Sequence, residues 1–205
     1  NDARDKLSVR QLEVAAKLGI KRYRMKYFKY DLKRPVAKQL DEIRPQLKDL
    51  VAVNKALGLQ AVYQNHSGRN YVGAPLWDLW LLVKEHPVEH LAVALDTGHT
   101  TVEGTNSWPI QANLLRPHLG ALYVKDYTWI ENKKTNVPLG RGNVDSGYPK
   151  RLLKSGYTGP VKDALLKMEK RGGMAFSTGD AVVEFEGEDA REAIYMWNLS
   201  HIDGK

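Results

Sequence analysis

The chain has 205 residues, 42% of them hydrophobic and 27% charged, enough for one ordinary globular domain with a sizeable core. It holds no cysteine, which excludes disulfides, thiolate metal sites and cysteine nucleophiles, and no run approaches the roughly 20 apolar residues that span a bilayer. A net charge of +7 permits contact with nucleic acid or anionic substrates. In chain order, Leu7, Val9, Leu12, Ala15, Ala16 and Leu18 recur near the 3.6-residue period and predict a helix over 5–18, closed at Gly19. Residues 20–28 follow as a strand, with Ile20, Tyr23, Tyr27 and Phe28 favouring extended backbone. Pro35 opens a long amphipathic helix to Leu57, with Leu40, Ile43, Leu47, Leu50 and Val51 on its apolar face and Gly58 as its cap.

The cycle then repeats. Residues 59–64 and 90–96 are apolar runs that predict buried strands, with a helix over 75–86 between them. A short helix over 108–117, a strand over 119–125, a surface loop over 130–145 and a helix over 145–155 follow. Strands that alternate with helices through short links imply a parallel sheet, and strands that are apolar throughout imply cover on both faces. Polar residues gather just after each strand, at Asn65-His66-Ser67-Gly68, Thr97-Gly98-His99 and Asp126-Tyr127-Thr128. Ligands of such sheets and barrels bind beyond the carboxyl ends of the strands, so the chemistry belongs on one rim.

Several residues there are candidates. His66 can donate to a hydroxyl, act as a base or bind a metal, while Asn65, Ser67 and Gly68 suit a turn. Asp96 and His99 offer oxygen and nitrogen ligands near one strand end, though an Asp before a turn also serves as a cap. Lys125 can hold a phosphate or polarise a carbonyl with Asp126 orienting it, or the two form a structural ion pair. Glu184 and Glu186 share one face of an extended run, either at the site or on a solvated edge. Trp108 and Trp129 fall on rim segments, where an indole can stack on a sugar. The basic cluster Lys21 to Arg34, with tyrosines between, reads as an anion-binding patch or as solvated strand ends; no nucleic-acid motif accompanies it.

The order YQNHSG, ALDTGH, YVKD and VPLGRGNVD resembles the sugar phosphate isomerase/epimerase family of the xylose-isomerase-like TIM barrel superfamily, over about residues 5–160. The resemblance implies an α/β fold, a (β/α) TIM barrel, here incomplete: 20–28 matches the fourth strand and 59–65 the fifth, so the first βα units are absent. One domain over 1–205 is expected, with residues 160–205 divergent and VKDALLKMEKRGG helical. Members hold a divalent metal on Glu, Asp, His and Glu and transfer a proton next to a sugar carbonyl.

Carried across, Gln64 stands at the first Glu position, Asp96 at the Asp and His99 at the His that follows it. Tyr123 stands where the next His is expected, and Glu184 or Glu186 at the last Glu. Gln64 can offer a metal its amide oxygen but cannot serve as a base. The expected assignments are then His66, Lys125 and Glu186 for catalysis, Asn65, His99, Asp126 and Trp129 for substrate, and Gln64 and Asp96 for Mn, Mg, Co or Zn. The implied activity is metal-assisted isomerisation or epimerisation of a sugar or sugar phosphate, with a non-catalytic sugar-binding barrel as the alternative. A sugar is the expected partner, self-association an option and a cytoplasmic location the default. Membrane binding is not expected, and nucleic acid ranks below both sugar readings.

Overall fold

The computed structural model describes residues 3–137 and 139–157. It holds helices α1 (Lys6–Lys17), α2 (Val36–Leu57), α3 (Trp77–Val83), α4 (Thr97–Gly104), α5 (Trp108–Leu115) and α6 (Tyr148–Lys154). The strands are β1 (Arg22–Arg24), β2 (Gln60–Gln64), β3 (Leu91–Asp96), β4 (Leu119–Tyr123), β5 (Asp126–Ile130) and β6 (Lys133–Val137). Strands β1 to β4 form one parallel sheet in sequential order, and β5 and β6 form a separate antiparallel hairpin. Parallel neighbours joined in sequence order through helices are the repeating unit of a barrel wall. Among the described residues no helix is long and apolar enough to cross a membrane.

Local chemistry accounts for the helices. Asp5 caps α1 by accepting from the backbone N–H groups of Leu7 and Ser8, a contribution of about 1 kcal/mol. Helix α2 buries Leu40, Ile43, Leu47, Leu50 and Asn54 along one stripe, and Gly58 ends it in the left-handed conformation at φ 65°. Asn54 ties this helix to the sheet: its carbonyl accepts from Tyr23 Oη at 2.8 Å and its amide donates to His90 O at 2.9 Å. Buried Asp78 accepts from Tyr30 Oη at 2.7 Å and from the backbone N–H groups of Gly73 and Leu79. Burial raises its pKa above the ordinary carboxylate value.

The sheet has two apolar faces. On the helix side Ala61, Tyr63, Leu91, Val93, Leu95 and Leu122 join the main core. On the other face Val62, Ala92, Ala94 and Ala121 make a cluster of small side chains. The register slips between β3 and β4: Val93 pairs with Leu119, but Ala94 pairs with Ala121, so Gly120 is the extra residue of a bulge. A Cβ at Gly120 would lie 2.5 Å from Ala92 Cβ and 3.2 Å from Val62 Cγ1, so only glycine fits.

Three sequence expectations change. The strand at 20–28 shrinks to Arg22–Arg24 because Tyr27 and Phe28 turn away to pack on Tyr63. Thr97-Gly98-His99, read as polar residues just after a strand, open helix α4, capped by Asp96, whose carboxylate accepts from His99 N–H. The loop at 130–145 begins as the hairpin, whose turn residues Glu131 and Asn132 both have positive φ, the pattern that matches strand twist. The expected 161–173 helix, and Glu184 and Glu186, lie outside the described residues.

Replacing Gly120 with alanine should cost about 1–3 kcal/mol through overpacking of the small-residue face, read as a lower urea midpoint with unchanged slope.

Candidate functional site

Strand alternation builds the site. The face that carries Val62, Ala92, Ala94 and Ala121 also carries Gln64, Asp96 and Tyr123 at the carboxyl ends of β2, β3 and β4, with Asp96 opposite Tyr123 in the ladder. Asp96 is wholly buried, at 0% exposure. Lys125 Nζ lies 2.7 Å from its Oδ2, and Gln64 Nε2 donates to the same oxygen at 2.8 Å. His99 Nε2 stands 3.7 Å away. Burial is the largest influence on Asp96 and would raise its pKa; the Lys125 charge and the hydrogen bonds together outweigh it and hold the group below the ordinary value.

The orientation of the Gln64 amide is forced. Its oxygen accepts from Tyr27 Oη at 3.1 Å and faces Arg24 Nη1 at 3.4 Å. A flipped amide would set oxygen against carboxylate and nitrogen against the guanidinium, two repulsive contacts in place of attractive ones. Arg24 Nη1 also donates to Tyr27 Oη at 2.9 Å.

A ring pile forms the neighbouring wall. His66 lies over His99 with centroids 4.1 Å apart, over Tyr71 at 4.5 Å, and edge-on to Tyr27 at 5.2 Å. Ser67 Oγ and His99 Nδ1 are 2.7 Å apart, and His66 Nδ1 meets Ser67 O at 2.7 Å. Burial pushes the His99 pKa down to about 3 and also lowers that of half-buried His66, so the environment favours the neutral form of both rings.

The other expected site residues fall into two groups. Asn65 and Asp126 are turned into the scaffold. Asn65 Oδ1 accepts from Asp96 N–H at 2.6 Å and its amide donates to Thr100 Oγ1 at 3.0 Å. Asp126 accepts from the N–H groups of Tyr127, Gly140, Gly142 and Val144 at 2.8–3.0 Å, so its carboxylate holds the 140–144 loop. Trp129 is 52% exposed on β5, edge-on to Tyr127. Trp108 is buried against Tyr148. Glu186 lies outside the described residues.

The structure also adds residues that the sequence did not single out. Tyr71 joins the rings. Lys134 of β6 reaches the field of Asp96, Lys125 and Glu103, and its pKa is lowered by burial first. Lys134 sat unmarked in a polar stretch, and only the hairpin brings it over the rim.

A model of the xylose isomerase-like TIM barrel family matches residues 2–163. No curated protein matches the sequence. Among solved structures, a D-tagatose 3-epimerase-like protein gives a TM-score of 0.57 at 20% identity, covering 82% of this chain and 68% of that one. The IolI protein with a binding zinc atom gives 0.62 at 13% identity, covering 83% and 71%. A xylose isomerase-like TIM barrel protein from Mycobacterium smegmatis in complex with magnesium gives 0.54 at 13% identity, covering 94% and 65%. Likeness at these identities establishes the fold alone.

Two of those structures hold a divalent ion, but the donor set among the described residues does not fit one. The free face of the Asp96 carboxylate is taken by an ammonium and an amide N–H. The one Gln64 atom able to coordinate points at Arg24 and Tyr27. Burial pushes the Tyr123 phenol up to about 12, so it is neutral and a poor ligand. Among the described residues no three His, Asp or Glu side chains are grouped to hold an ion. Gln64 and Asp96, expected to share a metal, are hydrogen-bonded to each other.

Two measurements follow from this geometry. Asp126→Ala should free four backbone N–H groups and loosen the loop, read as several-fold faster tryptic cleavage after Arg141 and a stability loss of about 2–3 kcal/mol. His99 should make stability pH-dependent. The unfolded ring takes up a proton near pH 6.5, whereas the folded one resists to about 3. Its contribution is full above about 6.5 and is lost as pH falls toward 3, so His99→Gln should flatten that slope by up to about 1.4 kcal/mol per pH unit in denaturant titrations.

Proposed function

The chain belongs to the xylose isomerase-like TIM barrel family, and from that membership we propose that it binds a small sugar or polyol at the strand-end rim and moves a proton next to the sugar carbonyl without a metal. The observation that carries this reading is that His66, stacked on His99, and the Lys125 ammonium on Asp96 stand past the ends of β2 and β4, on either side of β3 on one rim. The Lys125 side chain is 30% exposed while its ammonium contacts Asp96.

In the proposed reaction Lys125 donates a hydrogen bond to the carbonyl oxygen of the open-chain sugar. Charge that develops there as the adjacent C–H bond breaks is stabilised by the ammonium. His66 takes that proton on a ring nitrogen and returns it on the same face to the former carbonyl carbon, while the hydroxyl proton of the deprotonated carbon passes to the former carbonyl oxygen beside Lys125. The printed names of the relatives, which include a D-allulose 3-epimerase and a D-psicose 3-epimerase, support a ketose as the first substrate class to try. Trp129 offers an exposed ring face for stacking, and His99 sets the tilt of His66.

A second reading, binding without turnover, is favoured by one observation: Gln64 is an amide where a carboxylate base would be needed. One experiment separates the two. Ketoses and aldoses are incubated with the chain in D2O containing EDTA, and exchange at the carbon beside the carbonyl is followed by NMR. Exchange that persists in EDTA and falls about 100-fold or more in His66→Ala establishes the first reading. Saturation transfer to a sugar without exchange establishes the second, and neither signal with any sugar overturns both.

A further inference from the structure

Nitrogen atoms from β2, from α4 and from the end of β4 converge on Asp96 Oδ2: Gln64 Nε2 at 2.8 Å, His99 Nε2 at 3.7 Å and Lys125 Nζ at 2.7 Å. A carboxylate with no exposure to water needs a compensating cation, because an unpaired buried charge is strongly destabilising. A divalent ion on this oxygen would sit about 2.0–2.6 Å from it, in space that the ammonium occupies.

We infer that Lys125 is a built-in cation on Asp96 Oδ2, so that an ion pair within the chain takes the place of a metal–carboxylate contact. Charge balance supports the exchange. One ammonium neutralises one carboxylate, and Gln64 adds a hydrogen bond to Asp96 without charge. The backbone supports it too. Lys125 N–H donates to Thr97 Oγ1 at 3.2 Å, and that hydroxyl sits 3.3 Å from Lys125 O, which clamps the lysine to the start of α4 beside Asp96. The inference rests on this geometry and holds whether or not the site turns over a sugar.

The test uses the full chain, stripped with EDTA, with Mn, Co and Zn ions as probes. Thermal unfolding and titration calorimetry compare the wild type with Lys125→Ala, with Gln64→Glu/Lys125→Ala, and with the charge-free pair Asp96→Asn/Lys125→Met. The wild type and the charge-free pair should fold and show no response to the ions. Lys125→Ala should melt several degrees lower and recover when an ion is added. Gln64→Glu/Lys125→Ala should bind an ion at least about 100-fold more tightly than the wild type. If Lys125→Ala folds only with an ion present, that counts as the same recovery.

The inference is overturned if the wild type takes up one ion per chain and loses it in Asp96→Asn. It is equally overturned if both Lys125→Ala variants gain no affinity, or stay unfolded with ions present while the charge-free pair folds. None of these readouts depends on the sugar exchange experiment, so failure of either reading is seen separately.

Discussion

A carboxylate with no access to water, at the end of a central strand, is the constraint on which the rest of the site depends. Asp96 is fixed on every side: Asn65 holds its peptide N–H, Thr100 Oγ1 donates to its carbonyl, and Lys125 and Gln64 meet its side chain. Those partners come from β2, from α4 and from the segment after β4, so one charge organises three strand ends. Partial satisfaction of such a group would be worse than none, because low local polarity strengthens both its attractions and its penalties. Arg24 and Tyr27 belong to the same network one layer out, since they fix which way the Gln64 amide faces.

The sheet beneath makes that precision possible. Its helix side is held by polar anchors inside an apolar core: Asn54 links α2 to β1 and to the residue before β3, Tyr63 Oη joins Phe28 N–H to Val72 O, and Asp78 gathers Tyr30 with Gly73 and Leu79. Functional groups carried on strand ends rather than on long loops are held within narrow limits of position. The 140–144 loop is treated differently. It is pinned by a single carboxylate, Asp126, so a residue that reads as substrate-binding in sequence is spent on holding backbone.

What was legible in the sequence follows from the range of the forces involved. Strands β2, β3 and β4 declared themselves because burial on both faces demands unbroken apolar runs, and α2 did so because its stripe repeats over many turns. Helix α4 was hidden, since threonine and glycine are poor helix formers and its start depends on an Asp96 cap that also reads as a ligand. The hairpin was hidden by polar strands whose turn, Glu131-Asn132, lacks the usual glycine. The polar rim was visible as a set of positions. Which members bond to the scaffold was not, because the answer for Asn65, Gln64 and Asp126 lies with partners up to 40 residues away.

The bulge at Gly120 has a consequence of its own. Side-chain alternation runs as a phase along a strand, and the extra residue resets that phase partway through β4. Without the reset, the alternation set by Leu119 would turn Leu122 toward the rim and Tyr123 toward the helices; with it, Tyr123 stands beside Asp96. The chemical character of this strand end is thus decided by a residue that never approaches it. Over evolutionary time, gain or loss of one residue at such a point would exchange a phenol for an alkyl group at the site in a single step, a change of surface chemistry by length rather than by substitution.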